Sequence, residues 1–359
     1  MDTETLHMEI LASGADRWNA WRAKHLEIVP KLQGVALVNV DLAWADLRGL
    51  DLSTADLRQV NLSGADLRGA NLQRGRLTEV NLSGADLGEA NLREVEAIDS
   101  LAVGANLARA QGQGARLEGM DFGEANFASA NFEGATLAWL RGERANLSGC
   151  RFDRTDLSGA DLTGVRCKGA TFVEANCRGA CFWGADLTGT SFLAAEVGGA
   201  NLQKATLIWA DFKRALLTGA DLRGCEAKEA NLSEADCRGA NLEGINLTGA
   251  NLEWAILTGA NLKNAIAIDA ILAGANLRQA CLVNGNFTGI KAANGLFDGT
   301  TLAGAQLIGA DLRGADFRDT DWEAADLKGA RLEGTKLRRS APASPRTTTV
   351  EVPANKPLP

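Results

Sequence analysis

The chain contains no tyrosine, only two histidines and only six prolines. All six prolines, at positions 30, 342, 345, 353, 357 and 359, lie near the ends. Proline has no backbone N–H to give to a neighbouring strand, so its absence between Pro30 and Pro342 implies that the N–H groups there are all in use. His7 and His25 both precede Pro30. Elsewhere no imidazole or phenol is present to act as a general base, and Asp and Ser recur only at repeat-determined sites on a convex body with no pocket. There is no Gly-rich phosphate loop. No catalytic residue, cofactor site or cofactor is expected, and the chain is not read as an enzyme. Seven cysteines form no CxxC pair and are odd in number, which excludes a disulfide framework or zinc site, so no metal is expected. No apolar run approaches the length of a membrane span. The segment before Pro30 carries Asp2, Glu4, Glu9 and Asp16 without a continuous apolar stretch, so no secretory signal is read and a cytoplasmic location is expected. A net charge of −8 argues against direct nucleic-acid binding.

What is present is one phrase repeated. It stands cleanly at Ala65-Asp66-Leu67-Arg68-Gly69: small residue, Asp or Asn, Leu or Phe, polar residue, often Gly. The apolar centre falls on every position ending in 2 or 7 from Leu37 to Leu337, making 61 repeats without an insertion or deletion. A repeat of this kind overrides the usual domain count and predicts one elongated body. Neither regular element can place every fifth residue inside. A strand alternates faces with period two, and a helix turns with period 3.6. The chain must therefore turn a corner once per repeat, with the centre and the small residue inward and Gly favoured at the corner.

The aromatic spacing gives the number of sides. Phe132, Phe152, Phe172, Phe192 and Phe212 recur at every twentieth position, as do Phe297 and Phe317. Four repeats per turn are thus predicted, about 15 coils in all, with the phenylalanines in a ladder. At roughly 4.8 Å per coil the rod would be about 73 Å long. Cys150 and Cys225 at the small site, and Cys167, Cys177 and Cys237 at the centre, are read as core residues. Asp and Asn occupy the second site equally often, 17 times each, which points to a short side chain bonding to nearby backbone rather than to a need for charge.

The ends and the irregularities remain. Residues 1–34 are read as a helical cap, with a helix at 14–26 opened by a capping box at Ser13 and a shorter one at 3–11 carrying Leu6, Ile10 and Leu11. Trp18, Trp21 and Leu26 would form the apolar face that covers the first coil. The repeats span 35–339, and the Pro- and Thr-rich segment 340–359 is expected to be disordered. Around 95–113 the pattern thins. Ala97, Ala102 and Gly112 occupy centres while Ile98, Leu101 and Val103 occupy outward sites. A bulge with these apolar residues turned partly inward is expected. Gly142 beside Leu140 and Cys167 beside Val165 are read as volume trades. With no capping helix after the last repeats, Phe317, Trp322, Leu327 and Leu332 would leave an apolar end. That end predicts a homodimer, with the tail folding back as the rival arrangement.

The uninterrupted A-(D/N)-L-x-x array from Leu37 to Leu337 resembles the pentapeptide-repeat protein family. The resemblance implies an all-β fold, a right-handed quadrilateral β-helix, here with a short α-helical cap. It also raises a specific function. The family includes DNA-mimicking proteins that bind type II topoisomerases and protect DNA gyrase from drugs that poison it. The rod would match roughly 20 base pairs in length. Against this reading, basic residues interrupt every face and the array lacks the loop insertions of some gyrase-protecting members. The residues themselves support a simpler reading, a non-catalytic rod-shaped scaffold for a protein partner. Two groups of outward apolar residues would mark its surface: Leu193, Leu216, Trp254, Ile256 and Leu296 at one corner, and Ile208, Trp209, Ile266, Ile268 and Ile308 on another face, with Trp183 and Trp139 also projecting.

Overall fold

The computed structural model describes residues 3–339. The 340–359 tail expected to be disordered lies outside the described residues. Two helices, α1 (Thr3–Ala12) and α2 (Ala15–Arg22), precede a right-handed, four-sided β-helix. Along that helix residue i pairs in parallel with residue i+20, from Lys31↔Asp51 to Asp311↔Arg331. The ladder therefore starts at Lys31, within the segment expected as cap. Most sides are too short to form more than an isolated bridge. In the first coils one face extends into short strands, β1 (Ala36–Val38), β2 (Asp56–Arg58), β3 (Arg76–Thr78) and β4 (Glu96–Ile98), which pair in that order. A second pair closes the array, β5 (Asp316–Thr320) with β6 (Lys336–Arg339).

Each side is short because the chain turns after its central residue. The Ala70 N–H donates to the Leu67 carbonyl at 2.9 Å, and Gly69 between them has φ +64°. A turn of this form needs a left-handed residue at its third position. Along the corners from Asn39 to Gly334, every residue but Ala324 is left-handed. Glycine takes that backbone without strain; the remaining corners hold it with side chains as large as tryptophan.

Inside, the centres and small residues form one continuous core. The phenylalanine ladder is present. Phe172, Phe192 and Phe212 stack at 4.8 and 4.7 Å, nearly parallel, and Phe297 stacks on Phe317 at 4.6 Å. Gly142 leaves room that Leu140 and Leu162 fill from 3.0 and 3.2 Å of where its β-carbon would be.

The expected bulge at 95–113 is absent. Ala97, Ala102 and Gly112 keep their bonds to the next coil, to Arg116, Asp121 and Asn131 at 2.7–2.9 Å. Ile98, Leu101 and Val103 stay outside and exposed. Gly112 is filled from above, since Phe132 ring atoms occupy the place where its β-carbon would sit. What remains is an apolar cavity of about 20 Å³ between Ala97, Ala102 and their neighbours. At about 24 cal/mol per Å³ such a void costs about 0.5 kcal/mol. Turning the outer residues inward would break several ladder bonds, each leaving a buried group at about 1–3 kcal/mol. The regular coil therefore wins. Ser100 marks the end of the stranded face, its Oγ accepting the Val80 N–H at 3.0 Å and lying 3.2 Å from the Leu77 carbonyl.

The irregularity lies at Trp322 instead. Its indole is only partly buried, and the chain makes a single 3-10 turn at Trp322–Ala324. The Leu302 N–H bonds to the Asp321 side chain at 2.6 Å, and the ladder register shifts after Arg318. A tryptophan in a site built for leucine does not fit the coil cross-section.

The N-terminal cap completes the ladder that the first coil would otherwise leave open. The Ala15 N–H donates to the Asp41 carbonyl at 3.0 Å. Trp18 Nε1 donates to the Asp46 carbonyl at 2.7 Å, and Asn19 Oδ1 accepts the Asp46 N–H at 2.8 Å. Trp18 and Leu11 are fully buried. Three expectations fail here. Ser13 is not a capping box, because its Oγ donates back to Ile10 and closes α1, leaving Gly14 as the uncapped start of α2. The second helix ends at Arg22 rather than at 26, so Leu26 falls beyond it and is exposed, and Leu6 also faces outward.

Candidate interaction surface

The exterior is built from three positions of each repeat. At the first, an Asp or Asn Oδ1 accepts the N–H two residues on, as Asp51 does from Ser53 at 3.0 Å. Asn then adds a second bond, donating Nδ2 one coil back: Asn126 to Asn106 at 3.0 Å and Asn146 to Asn126 at 2.9 Å. Asp can accept both bonds and Asn can make both, which accounts for their equal use.

Charge on this surface is compensated locally. Arginine two residues after an aspartate folds back onto it, Arg48 on Asp46 at 2.8 Å, Arg313 on Asp311 at 2.6 Å and Arg318 on Asp316 at 2.7 Å. The guanidinium holds Asp46 below the usual carboxylate range and Asp311 at about 2. At the corners, partners sit one coil apart: Arg74 with Glu94, Arg109 with Glu89, Arg144 with Glu124 and Arg214 with Glu234, at 2.7–3.1 Å. Exposed pairs add little stability, about 0–1 kcal/mol each. Their consequence is for the field: the Asp46–Asp66–Asp86 column is interleaved with Arg48 and Arg68 rather than forming an acidic stripe.

Four tryptophans, Trp44, Trp139, Trp209 and Trp254, stand at left-handed corners and are the most exposed rings among the described residues. Three of them lie against a glycine one coil on, Gly64, Gly159 and Gly274, with ring atoms 2.5–2.7 Å from where a β-carbon would be. Trp209 instead donates Nε1 to Glu229 at 2.8 Å. Trp183, half-exposed, lies beneath Lys204 Nζ at 5.4 Å. The four corner tryptophans occupy four different corners and do not form one patch. Trp44 escaped the sequence reading; a corner Trp followed by Gly at the twentieth position on was the available signal.

The expected apolar groups are brought together only in part. Leu216, Ile256 and Leu296 share a column beside the Trp254 corner, but Asp236 and Asn276 alternate with them. Leu193 and Leu296 are half-buried. On the other face Ile208, Ile268 and Ile308 share a column three and two coils apart and are half-buried, while Trp209 and Ile266 are exposed. A feature the sequence reading missed is an open hollow of about 600 Å³ over Gly88, Ala108 and Ala128, edged by Arg68, Glu89 and Arg109. Three small residues in successive coils at the outward position just after the centre were its signal.

At the far end Phe317 is buried, while Trp322, Leu327 and Leu332 are only partly covered and Leu337 is exposed. The centre and small-site cysteines are buried and free, and burial pushes the Cys150 and Cys225 thiols up to about 12. Among the described residues no group of His, Cys, Asp and Glu is placed to hold a metal ion, and no helix is long and apolar enough to cross a membrane.

Among curated proteins no relative matches the chain. Among solved structures, HetL, a pentapeptide-repeat protein involved in heterocyst differentiation regulation from Nostoc sp. strain PCC 7120, is 28% identical over 63% of this chain and 88% of its own, with a TM-score of 0.29. QnrB1, a plasmid-mediated fluoroquinolone resistance protein, is 20% identical over 62% of this chain and 93% of its own, with a TM-score of 0.25. Rfr23 from the cyanobacterium Cyanothece 51142 is 26% identical over 40% of this chain and 60% of its own, with a TM-score of 0.09. The family profile described as "Pentapeptide repeats (8 copies)" matches residues 37–74, 76–110, 105–139, 143–176, 170–207, 210–249, 245–284, 280–319 and 305–340. With its repeats matched from the first coil to the last, the chain belongs to the pentapeptide-repeat family.

Proposed function

We propose that the protein is a non-catalytic, rod-shaped scaffold that offers its side faces to a protein partner. The observation that carries this is the local pairing of charge. A mimic of DNA needs uncompensated acid along a face, whereas here arginines fold onto Asp46, Asp66, Asp221, Asp311 and Asp316. The partner face is the corner where Trp254 and Ile256 are exposed on one coil and Leu216 two coils before, with Asp236 between Leu216 and Ile256. Exposed apolar side chains of this kind, rimmed by polar ones, suit a protein surface.

The finer reading is a DNA mimic acting on DNA gyrase, and one experiment separates the two. Purified protein is added in excess to a gyrase supercoiling assay with and without a gyrase poison. The scaffold reading expects unchanged supercoiling in both arms. Inhibition, or rescue from the poison, would replace it with the topoisomerase reading.

A further inference from the structure

We infer that His7, Trp21 and His25 form an acid-sensitive latch that holds helix α1 on the end of the rod. His7 lies on α1 and is 2% exposed. Its Nδ1 lies 3.3 Å from the Lys31 backbone N–H, which donates to it. Lys31 is the residue that opens the ladder by pairing with Asp51. This bond ties α1 directly to the first coil. A nitrogen that accepts carries no proton, so the His7 ring is neutral with its hydrogen on Nε2. Its centroid lies 5.0 Å from that of Trp21. His25 stacks on the same indole at 4.8 Å and 17°, with Nδ1 2.8 Å from the Trp21 carbonyl. A carbonyl only accepts, so this nitrogen carries the hydrogen. Trp21 in turn packs 5.5 Å from Trp18, whose Nε1 is bonded to the first coil.

Protonation affects the two rings differently. A charged His25 keeps its donor to the Trp21 carbonyl. A charged His7 points a donor at the Lys31 N–H, another donor, inside a site closed to water. The charged and titratable groups bearing on His7 are His25, on the segment after α2, and Lys31, on the first coil, and both oppose its protonation. Burial is the larger cause, and together they hold His7 below the ordinary histidine value of 6.5. It regains that value when α1 lifts away. The attachment is therefore fully present above about pH 6.5, weakens as pH falls below it, and stops weakening at the lower folded value. Within that window the opening constant rises about tenfold per pH unit. Opening uncovers Leu11, which is fully buried, and Met8 and Ile10, which are half-buried against the core.

The two histidines are the only ones in the chain, so selective imidazole labelling gives two signals, and His25→Gln assigns them. The test follows these signals by NMR from pH 8 to 5 on the full chain, alongside hydrogen exchange of the α1 amides corrected for intrinsic rate. The expected result is a His7 midpoint below 6.5 and a loss of α1 protection in the same window, about tenfold per pH unit. His7→Gln keeps an acceptor for Lys31 but takes no proton, so its α1 protection stays flat. Charging of His7 with no change in α1 protection would overturn the latch, as would a wild-type pH profile in His7→Gln. Should that variant fail to fold, the wild type decides alone: α1 protection lost in step with the His7 titration supports the latch, and protection that does not follow it overturns the latch.

Discussion

The indole of Trp139 fills the space where a β-carbon on Gly159, one coil on, would begin, with ring atoms 2.5 Å from that point. Trp139 itself sits at φ +59°, a backbone that a bulky side chain adopts at a cost of about 1–2 kcal/mol. Contact with the bare glycine on the next coil offsets that strain. Gly159→Ala should therefore suffer twice, from its own left-handed backbone and from expelling the indole. Gly169→Ala is the control, because Gly169 has a similar φ of +67° and nothing within 4 Å. The expected outcome is a loss of near-ultraviolet tryptophan dichroism and a lower unfolding midpoint for Gly159→Ala, with Gly169→Ala losing only the backbone contribution of about 1–2 kcal/mol. Equal effects at the two positions would remove the packing role from Trp139.

Gly112 sits at a centre where the repeat calls for leucine, yet restoring leucine should harm the protein. The Phe132 ring already occupies the place where the β-carbon would be. Gly112→Leu forces that ring out of the aromatic ladder, where it lies 6.3 Å from Phe152. Overpacking of this kind costs about 1–3 kcal/mol. Denaturant unfolding should show a lower midpoint for Gly112→Leu, and Phe132→Leu in the same chain should recover part of it. A Gly112→Leu protein as stable as the parent would show that the coil expands freely.

The fold was legible because one period governs both levels. The five-residue phrase sets the corner, and the recurrence of phenylalanine at every fourth phrase sets the number of sides. What could not be read was each violation of the phrase. Thinned centres at 97, 102 and 112 look like a bulge when only one coil is considered, but Phe132 enters from the next coil to fill the place at Gly112, and only a small void remains beside Ala97 and Ala102. Trp322 looks like an acceptable large centre, but it exceeds the cross-section and breaks the last coil. The surface groups failed for a related reason. Sequence columns put Leu216, Ile256 and Leu296 together, and they are together, yet the alternating Asp236 and Asn276 divide them. The Ser13 capping box was a local signal overruled by the cap's need to dock on Asp41 and Asp46.

Asp311 supplies a pH test at the other end of the rod. Its hydrogen bonds from Arg313, with Arg331 nearby, hold the carboxyl at about 2. A carboxyl with a depressed folded value contributes stability that is present above its unfolded value near 3.8 and lost as pH falls through about 2. In the parent, protection of the coil containing Asp311 should decline between about pH 4 and 2. Arg313→Leu should flatten that decline and lower protection above pH 4, because the group then titrates near its ordinary value. Hydrogen exchange measured across this range reads both effects, and an unaltered profile in Arg313→Leu would exclude the pair as the source.

The last coil differs from the first in having no helix over its core among the described residues. Leu327 and Leu332 are half-buried there, Leu337 is exposed, and strand β6 is the last of the ladder among the described residues. Two such ends related by a two-fold axis bring β6 against its copy in antiparallel sense and cover both apolar surfaces, a self-complementary contact that closes on itself. Light scattering at micromolar concentration should then give twice the chain mass. Leu332→Glu, which places a carboxylate in the covered centre and against its own symmetry mate, should return the chain mass while leaving the circular dichroism of the rod unchanged. A parent that scatters as a monomer, with or without Leu332→Glu, would mean that this end is satisfied within a single chain.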